Sequence, residues 1–137
     1  MAGRSEARRF VLQMLYLFDQ NPDSDRDRVQ LQLQHEFPEG PVRTFAMNLL
    51  DGVLKELQTL DQSISATASN WRLSRMAPTD RGVLRMGLYE MLYLGTPPAV
   101  VINEAIEIAR EFGTEHSGGF VNGILDRLKP RAAASAE

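Results

Sequence analysis

The chain has 137 residues, of which 43% are hydrophobic and 24% charged, a globular balance that excludes a disordered chain and favours one compact domain. It contains no cysteine, which excludes disulfides, thiol catalysis and thiolate metal sites. The formal net charge of −3 argues against indiscriminate nucleic-acid binding.

From Ser5 to Phe18, Ala7, Phe10, Val11, Met14, Leu15 and Phe18 recur three or four residues apart, which predicts a helix. Asn21-Pro22-Asp23 stops it. Val29 to Phe37 alternates apolar and polar residues like a strand, yet a helix is expected because a lone strand would have no partner. After the turn Pro38-Glu39-Gly40-Pro41, one long amphipathic stripe runs from Val42 through Phe45, Leu49, Val53 and Leu57 to Ile64. Trp71, Leu73 and Met76 suggest a short helical turn before Pro78. A fifth helix carries Val83, Leu84, Leu88, Met91 and Leu92 and ends at Gly95. Thr96-Pro97-Pro98 enters a sixth with Val101, Ala105, Ile108, Ala109 and Phe112, and Gly113 takes the position after its end. Ser117 is expected to cap the last helix, which holds Phe120, Val121, Ile124, Leu125 and Leu128 before Pro130.

The expected fold is therefore all-α: a single-domain bundle of about seven helices over residues 1–130, with an Ala-rich, disordered tail at 131–137. No run of about 18 apolar residues offers a membrane span, and Met1-Ala2-Gly3-Arg4-Ser5-Glu6 lacks a secretory stretch, so a cytoplasmic protein away from membranes is expected.

Charge is unevenly spread. Arg4, Arg8 and Arg9 stand against Glu6 at the start, and Arg72, Arg75, Arg81 and Arg85 stand against Asp80 further on. From Met86 to Asp126 only Arg110 offsets Glu90, Glu104, Glu107, Glu111, Glu115 and Asp126. Catalysis finds little support. His35 and His116 read as surface histidines, and Glu104, Glu107 and Glu111 as a solvated acidic face without the Glu-x-x-His of a bundle metal site. No cofactor or metal is expected, since no P-loop or GxGxxG occurs. Asn122-Gly123 lies inside a helical register, and Gly123 is read as a point of close helix approach.

Binding features are richer. Arg9, Gln13 and Tyr16 share one face of the first helix, with Arg4 and Arg8 at its positive end. Cation, amide and aromatic together can grip phosphate, base edge and base plane; a solvated face with a snorkelling tyrosine fits the pattern equally well. Arg81, Arg85 and Tyr89 repeat every four residues beside Asp80 and Glu90, which suits a polar protein interface or pairing within the helix. The turn Gly113 to Phe120 can offer free N–H groups to an anion and a ring to a base, or can simply connect two helices.

The run Pro97-Pro98-Ala99-Val100-Val101-Ile102-Asn103-Glu104-Ala105, continuing to Gly113 and into Ser117-Gly118-Gly119-Phe120-Val121-Asn122-Gly123-Ile124-Leu125-Asp126, resembles the signature of the NusB family of bacterial transcription antitermination factors. Asp80-Arg81-Gly82-Val83-Leu84-Arg85-Met86-Gly87-Leu88-Tyr89-Glu90 is similar to that family's fifth helix. Ala7-Arg8-Arg9 through Leu12-Gln13-Met14-Leu15-Tyr16 is similar to its basic first helix. Nearly the whole chain takes part, least so from Asn21 to Pro41.

The resemblance implies the NusB helical fold, no catalysis, and binding of the boxA element of nascent rRNA leaders together with NusE, a ribosomal small-subunit protein. It further implies assembly with RNA polymerase, NusA and NusG. Carried over by position, Arg4, Arg8, Gln13, Ser117 and Phe120 would bind RNA, and Tyr16, Asp80, Arg85 and Glu90 would lie on or near the NusE surface. Two alternatives stay open: an RNA-recruiting domain working with an rRNA methyltransferase, and a homodimer that masks its RNA face. Ser5 and Glu6 stand where the family commonly has arginine, and Gly119 where it usually has Lys or Arg. Fewer phosphate contacts imply weak RNA affinity alone and useful affinity with NusE.

Overall fold

The computed structural model describes residues 3–130 as α1 (Arg4–Gln20), α2 (Arg26–Glu36), α3 (Pro41–Lys55), α4 (Leu57–Thr67), a 3-10 turn (Leu73–Arg75), α5 (Pro78–Tyr93), α6 (Pro98–Phe112) and α7 (Ser117–Leu128). The fold is all-α, as expected. The tail expected to be disordered, 131–137, lies outside the described residues. Helices α1 to α3 form one compact unit, ending at Lys55, and α4 to α7 form another, beginning at Glu56.

In the first unit both α1 and α2 pack on α3. Ala7, Phe10, Val11, Met14 and Leu15 of α1 are buried, as are Phe45, Ala46, Leu49, Leu50 and Val53 of α3. Phe10 meets Phe37 edge to face, with centroids 5.6 Å apart. The alternating segment buries every fourth residue, Val29, Leu33 and Phe37, as a helix does, while Leu31 is 65% exposed. Asp25 caps α2 by accepting from the Asp27 N–H at 2.9 Å. At its other end Arg43 donates to the carbonyls of Gln34 and Phe37 at 2.9 and 2.8 Å, satisfying acceptors the helix leaves open.

The stripe expected as one helix from Val42 to Ile64 is two. Glu56 leaves the helical region (φ −99°, ψ 16°), and Leu60 and Ile64 of α4 serve the second unit instead. The period crosses the break unmarked because each helix needs its own buried stripe.

In the second unit α5 is packed by α4, α6 and α7. It is buried on most sides, through Val83, Leu84, Met86, Leu88 and Met91, and ends where Gly95 takes φ +69°. Gly87 sits against α6 and α7: a Cβ there would lie 3.0 Å from Leu125 and 3.4 Å from Val101. Gly123, by contrast, is no point of close helix approach. A Cβ there would meet nothing within 4 Å, and the residue faces outward.

Candidate nucleic-acid interface

The basic end of α1 is built on an aromatic ring. The guanidinium of Arg4 lies 4.8 Å from the Phe45 ring centroid and that of Arg8 5.1 Å from it. Both are cation–π distances. They arise because Arg4 and Arg8 are one turn apart and α1 packs on α3. Arg8 is only 5% exposed, whereas Arg4, Gln13 and Tyr16 are open to solvent. Arg9 donates to the Ser5 carbonyl at 3.1 Å. This surface therefore offers one open cation, a second held against a ring, an amide and a phenol.

The second unit presents the reverse arrangement, aromatics flanked by cations. Trp71, 57% exposed, meets Phe120 of α7 edge to face with centroids 5.8 Å apart. Arg81 donates to the carbonyls of Leu73 and Met76 at 2.9 and 3.0 Å and so pins the loop that carries Trp71. The pair borders a cavity of about 360 Å³ whose other walls include Arg75, Asp80, His116 and Ser117. Three residues singled out in sequence, Asp80, Ser117 and Phe120, thus share one cavity. The Oδ1 of Asp80 is buried with no hydrogen-bond partner among the described residues.

Ser117 does not cap α7. It is the first helical residue, buried, and its hydroxyl accepts from the Thr114 N–H at 2.9 Å. The Ser117 N–H donates to the Thr114 carbonyl, and the His116 N–H to the Thr114 hydroxyl. The turn therefore consumes several of the donors that an anion would need, and Ser117 holds its shape. Gly113 is required there, since a Cβ would run into the Ser117 hydroxyl and lie 2.8 Å from the Ala109 carbonyl oxygen.

Arg85 and Glu90 are inside the second unit. Arg85, 9% exposed, grips Asp61 of α4 with two bonds, Nε to Oδ1 at 2.7 Å and Nη2 to Oδ2 at 2.9 Å. Neither Asp80 nor Glu90, the partners expected within the helix, takes that bidentate place. Glu90, 1% exposed, accepts from the Thr96 hydroxyl at 3.0 Å and closes the end of α5.

Sequence reasoning read Trp71 only as part of a helical turn. Its signal was compositional: the chain's single Trp stands next to Arg72 and four residues before Arg75. No group of three or more metal-ligating side chains occurs among the described residues, and no helix there is long and apolar enough to cross a membrane.

The two surfaces define a helical protein organised for binding, with arginines held on a buried ring in one unit and an exposed Trp beside arginine in the other. The model of the NusB family matches residues 5–130. Transcription antitermination protein NusB of Geobacter sulfurreducens is 42% identical over 130 residues, covering 93% of this chain and 94% of its own, and that of Wolinella succinogenes is 36% identical, covering 95% and 96%. Among solved structures, NusB of T. maritima is 34% identical and covers 98% of each chain with a TM-score of 0.84. A chain from the complex of antitermination factors NusB and NusE with double-stranded RNA shares the fold (TM-score 0.81, 22% identical, covering 91% of this chain and 94% of its own). The chain belongs to the NusB family.

Proposed function

We propose that this protein is a transcription antitermination factor that binds the boxA element of nascent rRNA leaders together with NusE and promotes rRNA transcription. It acts by binding and not by catalysis, in the cytoplasm, within an assembly of RNA polymerase, NusA and NusG. The observation that carries the RNA part is the exposed Trp71 set against the half-buried Phe120 beside Arg75. Unpaired bases stack on such rings, and arginine holds the phosphates between them.

Arg4 and Gln13 contribute phosphate and base-edge contacts from α1, and the buried Arg8, held on Phe45, supports them from beneath. Phe120 supplies a stacking ring, and Ser117 fixes the turn before it. Tyr16 of α1 and Asp80 of α5 each contribute to NusE binding, the Asp80 carboxylate through its charge toward a basic ribosomal protein. Arg85 and Glu90 support the helix that carries Asp80 from within, by holding α5 to Asp61 and closing its end.

Fluorescence polarisation with labelled single-stranded boxA RNA, with and without NusE, tests the reading. Weak binding alone and strong binding with NusE is the expected result. Equal affinity for boxA and an unrelated single strand would overturn it.

A further inference from the structure

Gly123 is left unexplained by the packing. In the middle of α7 a glycine weakens the helix, and nothing lies within 4 Å of where its Cβ would be. Without a side chain, the backbone there leaves room for another molecule to come close. Here that place is a second, smaller cavity of about 190 Å³, lined by Asn70, Trp71, Phe120, Gly123, Ile124 and Arg127. It shares Trp71 and Phe120 with the larger cavity, so the aromatic pair borders both.

We infer that this smaller cavity is a nucleobase pocket of its own, kept open by Gly123, so that the Trp71–Phe120 pair serves two neighbouring bases of one RNA strand. The inference rests on the RNA-binding reading above and deepens it. Three features give the pocket its chemistry. The rings supply stacking surface, which accepts any base. The Asn70 amide, at the wall, carries both donor and acceptor and can meet a base edge. Arg127, one turn beyond Gly123, donates to the Thr67 carbonyl at 3.4 Å. That bond uses one of its five N–H groups, and the others suit a phosphate between the two bases. On α7 the order Phe120, Gly123, Arg127 follows helical spacing, so ring, gap and cation lie along one side. A base can enter only when it is out of a helical stack, so the pocket selects single-stranded over paired RNA.

The test is fluorescence polarisation of labelled single-stranded boxA RNA with NusE present. Gly123→Leu adds a side chain beside the cavity from a position where its Cβ meets nothing within 4 Å. The expected result is about tenfold weaker binding with an unchanged or higher Tm, since leucine is the better helix former. Abasic nucleotides walked along the RNA should cost the wild type affinity at two neighbouring positions, and Gly123→Leu should be indifferent at one of them. Wild-type affinity in Gly123→Leu overturns the inference, as does a single sensitive position in the wild-type walk. If Phe120→Ala loses binding while Gly123→Leu keeps it, the second pocket falls and the RNA reading stands. If the wild-type chain with NusE does not bind boxA RNA, both fall. Should Gly123→Leu lower Tm, the wild-type walk alone decides.

Discussion

The first unit stacks its arginines on a ring of its own, whereas the second holds its rings out and lets arginines surround them. Arg4 and Arg8 lie over Phe45, which is 6% exposed and so unavailable to a base. Trp71 and Phe120 touch each other, and Trp71 stays more than half exposed. The same residue types thus yield two kinds of binding surface. A cation spread over a buried ring is positioned, and its pull on phosphate is salt-dependent and blind to sequence. An exposed ring contributes stacking, which depends on base presence and little on salt.

The largest effect should come from beneath the second surface. Asp61→Ala strips Arg85 of its bidentate carboxylate in a nearly buried site. Removing one partner of such a pair costs about 3 kcal/mol, which thermal melting should show as a Tm several degrees lower. The expectation fails if the variant melts like wild type. Next is Trp71→Ala. It should weaken boxA binding by about 1–3 kcal/mol and leave the slope of log K against log salt unchanged. A changed slope with intact affinity would show that Trp71 acts by placing cations, and the contrast between the units would be lost.

Much of this was legible before any coordinates. Helical periodicity gave the element order, because each helix buries one stripe, and Gly95 marked the end of α5 through its positive φ. Three features were not. The break at Glu56 is silent because an amphipathic period continues through it. Gly123 looked like a packing glycine because glycines at helix contacts and at open cavities have the same one-letter signature; only the empty space around it separates them. Arg85 reads from its spacing as an interface residue or as a partner of its own helix, and neither reading reveals Asp61, 24 residues away. In the site, charge was visible as Arg clusters, but the partner of each ring was not. Trp71 and Phe120 are far apart in sequence and meet only through tertiary packing.

Smaller effects should separate the two surfaces by salt. Arg4→Ala removes the exposed cation at the start of α1 and should reduce the salt slope by about 0.7, with only a modest affinity loss at physiological salt. An unchanged slope would remove Arg4 from the RNA contact. The smallest change is a gain. Gly119 precedes Phe120, is exposed, and has nothing within 4 Å of a built Cβ, so a side chain fits without displacement. Gly119→Lys adds an ammonium at the residue before the stacking ring, one more cation beside Arg75 and Arg127. It should steepen the slope by about 0.7 and tighten boxA binding in the absence of NusE, most clearly at low salt. The gain should shrink once NusE is present and phosphate contacts are already numerous. If Gly119→Lys tightens binding equally at low and high salt, the added side chain is packing on the base and not neutralising phosphate. The second surface would then owe its weak intrinsic affinity to missing apolar contact, and the division of labour between charge and stacking would need to be redrawn at Phe120.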